Sequence, residues 1–340
     1  MMSDRRQTGA DQPSAGGHGR IVYLLVAALA CATAAFAQRG AAPPPPPQIA
    51  APAIPGVIAP GTKIELVATV GRTEGPVAMP DGSLILTNTN SITHVDLSGK
   101  VSTLVEVSNG ANGLGWDSHG RLIAVERKPN DERVGVLYPP NAVTTLADKV
   151  EGKPFSRLND LVVSSRDAIY FTDGNGIYYL PPGGGPVKKV IDGIPNPNGV
   201  QLSPDERTLY ANNKDGEYLL AFDVQADGTL TNRRNFGKYK SLTQKDSKDP
   251  LLAEDNGADG LVVDNDGRVY VATNAGVEVF SPKGDLLGVI PAVWGGEQFM
   301  LRKPQNVAFA GSGRKTLYMV GSGAVYKVQT LTQGVSKRGK

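Results

Sequence analysis

At 340 residues, with 40% hydrophobic and 20% charged side chains, the chain has enough apolar material for one large or two ordinary globular domains. A formal net charge of +2, with no cluster of Lys and Arg interleaved with aromatics, excludes a nucleic-acid binder that works by neutralising phosphates. The single cysteine, Cys31, excludes a disulfide framework.

The first element is a leader. Arg5, Arg6 and Arg20 precede an uninterrupted apolar run from Ile21 to Ala30 that extends to Phe36. Ala35-Phe36-Ala37 fits a small-x-small cleavage site, which predicts a signal peptide over residues 1–37 and export to the periplasm or beyond. The run of about 16 residues is short for a membrane span, which needs about 20, so no span is expected in the mature chain. An uncleaved anchor and lipidation at Cys31 are the alternatives, and Ala28-Leu29-Ala30 is a poor lipobox for the second. Cleavage removes Arg5, Arg6, Arg20, Asp4 and Asp11, which takes the net charge from +2 to +1, and it removes Cys31. Ala41-Ala42 and the prolines Pro43 to Pro47 follow, and residues 38–61 read as an extended, semi-rigid linker.

From residue 62 onward short apolar β-runs dominate. They are Leu84-Ile85-Leu86, Leu122-Ile123-Ala124, Ile169-Tyr170-Phe171, Leu209-Tyr210-Ala211, Val269-Tyr270-Val271 and Leu317-Tyr318-Met319, at intervals of 38, 47, 40, 60 and 48 residues. Turn signals punctuate them, among them Pro80-Asp81-Gly82, His119-Gly120, Pro204-Asp205-Glu206, Asp264 to Gly267 and Pro282-Lys283-Gly284. No stretch of twelve residues shows helical periodicity. A period of about 40–50 residues with several strands per repeat is the signature of a propeller. The fold class is therefore all-β, a six-bladed β-propeller over residues 62–330, followed by a polar tail, 331–340. The long interval carries a polar insertion around Lys238 to Asn256, readable either as a lid over the channel mouth or as a solvated loop.

About ten residues ahead of each run stands an oxygen-bearing residue: Glu74, Asn112, Asn159, Asn198, Asp259 and Gln305. The local pattern is acid or amide, then Gly or Asp, then an aliphatic, with Gln305-Asn306-Val307 as a degenerate sixth copy. Rotational repetition sets equivalent residues at equivalent radius and height, so these six are expected at one end of a central channel. Glycine after the polar residue permits close approach of backbones at a crowded axis. Two carboxylates and several amide oxygens without histidine suit a hard divalent cation, Ca²⁺ first, with Mg²⁺, Mn²⁺ or Zn²⁺ as alternatives. Asn112 is either a second-layer ligand, a substrate contact or a plain turn residue. No Gly-x-Ser-x-Gly motif and no nucleotide-binding fingerprint occurs, and neither His94 nor His119 takes a ring position. Trp294-Gly295-Gly296-Glu297 reads as a packing element or a contact at the rim.

Glu74-Gly75-Pro76, Arg157-Leu158-Asn159-Asp160, Phe171-Thr172-Asp173, Pro197-Asn198-Gly199 with Ser203-Pro204-Asp205-Glu206, and Asp259-Gly260 occur in this order over most of residues 70–330. Together they resemble the SMP-30/gluconolactonase/luciferin-regenerating family. The resemblance implies one divalent cation in the central channel, held by Glu74, Asn159, Asn198 and Asp259. It also implies hydrolysis of sugar lactones, or of other esters and organophosphates as in some relatives. Asp259 matches the family's proposed general base or nucleophile, and Arg157 matches an arginine that contacts sugar-acid substrates. Two departures bear on the substrate pocket: Val77-Ala78-Met79 lacks the family's usual tryptophan, and Gly174 stands where proline is frequent. The expected partner is a small lactone or ester. The competing readings are a same-site enzyme acting on other esters or phosphotriesters, and a non-catalytic binding propeller with a structural ion.

Overall fold

The computed structural model describes residues 49–174, 176–241, 257–291 and 304–336. The leader, most of the 238–256 insertion and Trp294 to Glu297 lie outside the described residues.

Six antiparallel sheets succeed one another along the chain. Strands β1 (Ile49–Ala50) and β2 (Lys63–Thr69) open the described chain. Blade 1 is β3 (Glu74–Ala78), β4 (Leu84–Thr87), β5 (Ile92–Val95) and β6 (Val101–Val105). Blade 2 is β7 (Ala111–Trp116), β8 (Leu122–Glu126), β9 (Arg133–Tyr138) and β10 (Thr144–Ala147). A small hairpin of β11 (Lys149–Val150) and β12 (Lys153–Pro154) leads to blade 3. That blade comprises β13 (Leu158–Val163), β14 (Ile169–Asp173), β15 (Gly176–Leu180) and β16 (Lys188–Ile191). Blade 4 is β17 (Pro197–Leu202), β18 (Thr208–Asn213), β19 (Tyr218–Val224) and β20 (Leu230–Lys238). Blade 5 is β21 (Leu261–Val263), β22 (Val269–Thr273), β23 (Gly276–Phe280) and β24 (Leu286–Pro291). The last sheet joins β25 (Asn306–Ala310), β26 (Thr316–Gly321) and β27 (Ala324–Gln329) to β2 and β1. Ile64 pairs with Val328 and Thr69 with Ala324, so an early strand completes the final blade and closes the ring without a covalent link.

The periodic apolar runs are the second strands of the six blades. Each is sandwiched between neighbouring blades on both faces, which is why β4, β14 and β22 are buried at every position rather than at alternate ones. The outer strands β6, β10 and β16 are exposed or half-buried at every position. The core is divided among six apolar clusters, one at each blade interface. Between blades 2 and 3, Phe171 meets Phe155 edge-on at 5.3 Å and stacks on Tyr178 at 5.6 Å. Between blades 6 and 1, Ala308, Val320 and Val325 pack on Leu84, Leu86 and Val95. Each fully buried large side chain contributes about 1.5–3 kcal/mol relative to exposure.

The expected boundaries change at both ends. Of the expected linker, residues 49–61 are packed: β1 pairs with β2, and Ala51, Ile54, Val57 and Ile58 are buried against blades 5 and 6. Their apolar side chains cover an interface that the proline and alanine content of the segment disguised. Of the expected tail, residues 331–336 dock, with Asn265 N donating to Gln333 O, Gly334 N to Arg314 O, and Val335 buried. Among the described residues no helix is long and apolar enough to cross a membrane.

Candidate functional site at the channel mouth

The first strand of each blade lines the axis, and its register breaks at the residues that carry the chemistry. Glu74 pairs with Thr87 and pairing resumes only at Val77 with Ile85. The same irregularity falls between Ala111 and Leu114, Leu158 and Leu161, and Pro197 and Val200. Such a bulge releases one or two residues from the ladder and re-aims their side chains. In blades 2 to 4 the released residues include Asn112, Asn159 and Asn198, while Glu74 stands at the edge of the break in blade 1. In blade 5 the strand begins late, and Asp259 N donates to Ala272 O ahead of it.

Contacts between neighbouring strand starts run around the axis. Asn112 Nδ2 donates to Asn159 O at 2.9 Å and to Asn159 Oδ1 at 3.0 Å. Thr172 Oγ1 donates to Asn198 O at 2.8 Å, and Asp160 N donates to the same hydroxyl. Gly199 N donates to Asp259 O, Gly260 N to Gln305 O, and Asn306 Nδ2 to Glu74 Oε2 at 2.9 Å. The crowding explains the glycines. A Cβ on Gly75 (φ +51°) would run into Asn112 O, and one on Gly260 would run into the Asn306 side chain. Gly75→Ala is therefore expected to lower stability by at least about 2 kcal/mol, from the left-handed backbone plus the collision. Gly152→Ala, equally left-handed (φ +78°) but with nothing within 4 Å, supplies the control for backbone strain alone. Urea midpoints measure the difference.

Glu74 is 7% exposed, and its Oε2 accepts from Gly75 N and Asn306 Nδ2, both uncharged donors. Burial, reinforced by the charge of Asp259, holds its carboxyl well above the usual carboxylate range. Glu74 and Asp259 thus share one electrostatic neighbourhood, as the repeat register predicts. Asn112 and Asn159 meet directly. Asn198 adjoins Asp259 through Gly199, with no hydrogen bond from its side chain to the other five candidates among the described residues. Arg157 stands outside this circle: it is exposed, and Nη2 donates to Asn196 Oδ1 at 2.8 Å. Asp173 fixes the loop that carries it by accepting from Ser156 N and Arg157 N. The Phe171-Thr172-Asp173 motif therefore has three positional jobs: core packing, a tie between blades 3 and 4, and an anchor for residues 156–157.

Several residues of the mouth lie outside the repeated register. Asn306, not Gln305, reaches Glu74 in blade 6. Asp160 is buried, and its charge also acts on Glu74. Arg127 Nη1 donates to Asn112 Oδ1 at 2.9 Å. Its guanidinium feels the charges of Arg72, Glu74, Arg157 and Asp259, and burial is the main cause of its lowered pKa. Beside the ring opens a cleft of about 450 Å³, within the range of small-molecule sites, lined by Arg72, Glu74, Asn88, Asn90, Asn112 and Arg127 among others. No tryptophan is among the described residues that line this cleft. Trp116 sits at the far end of β7, donating from Nε1 to Ala78 O at 2.9 Å.

The donor set fits a hard cation. Two carboxylates close enough to perturb each other, together with amide oxygens, create a deficit of positive charge that all-oxygen coordination of such an ion relieves. Among the described residues no three His, Cys, Asp or Glu side chains gather as a metal-binding group.

These features define a six-bladed propeller with a polar, carboxylate-bearing channel mouth. Residues 72–323 match the family model described as the SMP-30/gluconolactonase/LRE-like region, and the chain belongs to that family. A gluconolactonase of Zymomonas mobilis is 26% identical over 326 residues, covering 83% of this chain and 85% of the relative. A lactonase drp35 of Staphylococcus saprophyticus is 28% identical over 165 residues, 46% of this chain and 48% of its own. Among solved structures, a gluconolactonase from Xanthomonas campestris superimposes with a TM-score of 0.66 at 23% identity, covering 84% of this chain and 98% of the other. A calcium-binding regucalcin from Agrobacterium tumefaciens gives 0.60 at 18% identity, covering 78% and 96%. At these identities the structures establish the shared fold.

Proposed function

We propose that the chain is an exported, divalent-cation-dependent hydrolase of sugar lactones or similar cyclic esters. The observation that carries this reading is the shared electrostatic neighbourhood of Glu74 and Asp259 at a polar channel mouth in a chain of the SMP-30/gluconolactonase/LRE-like family. Glu74, Asn159, Asn198 and Asp259 would hold the cation, with Ca²⁺ favoured by the all-oxygen donors. When bound, such an ion supplies Lewis acidity, which polarises a carbonyl and offsets oxyanion charge by several kcal/mol.

The remaining work falls to the side chains. Asp259 takes a proton from the attacking water, a role typically contributing about 10²–10⁴ in rate. Asn112, held between Asn159 and Arg127, presents a fixed amide to the substrate. Arg157 offers its planar donor fork to hydroxyls at the rim. Glu74 keeps its geometry through Asn306 and Gly75. A panel of sugar lactones and open-chain esters, assayed on stripped protein with Ca²⁺, Mg²⁺, Mn²⁺ or Zn²⁺ restored, tests the reading. Lactone hydrolysis that appears only with added cation is the expected result, and turnover confined to open-chain esters or to stripped protein overturns it.

A further inference from the structure

We propose that the cleft beside the ring binds an oxyanion carried by the substrate, so that the lactones handled best bear a carboxylate or phosphate away from the ester. The inference deepens the lactonase reading and rests on it for the word lactone; the oxyanion subsite itself rests on charge and geometry.

The cleft walls gather Arg72, Arg127 and Lys128, and their acidic member is Glu74, which belongs to the ring. Lys128 has a surface partner, Asp131, at 3.5 Å. Arg127 has none of that kind. Its side-chain hydrogen bond runs from Nη1 to a neutral amide, Asn112 Oδ1, and among the described residues no carboxylate forms an ion pair with it. This half-buried guanidinium feels Arg72 and Arg157 against it and Glu74 and Asp259 in its favour, and with those two carboxylates engaged by a cation it is costly unless a further anion joins it. Nearby amides continue the theme. Gly110 N is held by Asn90 Oδ1 and Thr89 N by Asn88 Oδ1, so the loops that form the walls are braced by their own side chains. The chain as a whole is nearly neutral at +2, so the excess of cations here is local.

Geometry also sets the direction. Arg127 spans the two regions, touching Asn112 of the ring on one side and lining the cleft on the other. A substrate whose ester lies at the ring would place its far end in the cleft, where Arg127 and Arg72 both line the walls. The planar fork of arginine matches carboxylate and phosphate oxygens in pairs. A neutral sugar tail leaves these donors without a charged partner.

The test uses cation-loaded, full-length protein and three lactones: neutral glucono-lactone, a glucaro-lactone with a free carboxylate, and 6-phosphogluconolactone. One of the two anionic lactones is expected to exceed the neutral one at least about tenfold in kcat/KM, the scale of a charge-assisted hydrogen bond, and which one does identifies the oxyanion. R127Q is expected to erase the preference and R127K to restore part of it. R72Q, at an exposed position, reduces the preference without threatening the fold. Inorganic phosphate and glutarate, titrated calorimetrically against a glycerol control, give a readout independent of turnover. Equal kcat/KM for neutral and anionic lactones, or a preference that persists in both R127Q and R72Q, overturns the subsite. Oxyanion binding that is lost in R127Q while no lactone is hydrolysed upholds the subsite and overturns the lactonase reading. Hydrolysis of neutral lactones with no oxyanion binding does the reverse.

Discussion

Asp259→Asn is expected to reduce lactone turnover by about 10²–10⁴ while the protein stays folded. The substitution is nearly isosteric, and the backbone bonds of residue 259 do not involve the side chain. Asp259 N is bonded to Ala272 O, and Asp259 O accepts from Gly199 N and Asn212 Nδ2; all three bonds survive the change. What disappears is the proton acceptor next to the attacking water. The variant should retain the wild-type circular dichroism spectrum, and, if the amide oxygen still serves as a ligand, a weakened but measurable cation isotherm. The loss should appear in kcat more than in KM, because a base acts in the transition state. Wild-type turnover by the variant would remove Asp259 from the mechanism and leave the ring without an assigned base. Access to water distinguishes the two carboxylates. Glu74 is enclosed by Gly75 and Asn306, whereas Asp259 is half-buried and nearer to water.

Much of the fold is visible in the order of residues because propeller blades bury their second strands on both faces. Leu84 to Leu86 and Val269 to Val271 stand out as unbroken apolar runs for that reason. The ring closure is less visible. β2 reads as an ordinary strand, and nothing in Lys63 to Thr69 announces that, besides its neighbour β1, it pairs with a strand some 260 residues later. Residues 49–61 illustrate the limit of composition. Proline, glycine and alanine suggest a linker, yet Ile54, Val57 and Ile58 fill a gap against blades 5 and 6 that exists only once the ring has formed.

The site divides the same way. Residues held in the repeat register were legible, because rotation brings Glu74, Asn112, Asn159 and Asp259 to one mouth. The sixth position slipped by one residue. Asn306 occupies the place that glycine takes in four of the other blades, and Gly260 makes room for it, so the side chain turns inward and reaches Glu74. Asp160 follows the same logic opposite Gly113. Arg72 and Arg127 carry no such signal. They lie in the connections just before β3 and just after β8, where position is set by how two blades meet rather than by a repeated pattern.

Stripping the cation is expected to make stability depend on pH in a way that Glu74 controls. In cation-free protein, burial and then the Asp259 charge raise the Glu74 carboxyl well above its ordinary value of 4.5. A carboxyl whose folded-state pKa is raised holds its proton more tightly when folded. Its stabilising contribution is therefore fully present below the ordinary carboxylate range and is lost as pH rises through the raised value. Cation-free wild-type protein should accordingly lose Tm between mildly acidic and neutral pH. Glu74→Gln, which keeps an oxygen for Gly75 N and Asn306 Nδ2, should flatten that part of the profile. Adding Ca²⁺ at neutral pH should raise the wild-type Tm, since a ligand present at 100 times its Kd stabilises by about 2.7 kcal/mol. The same addition should leave Glu74→Gln nearly unmoved. The contrast between the two proteins isolates Glu74 from the other carboxylates that titrate during acid unfolding. A wild-type profile indistinguishable from that of Glu74→Gln, both with and without Ca²⁺, would mean that Glu74 and Asp259 do not share an ion.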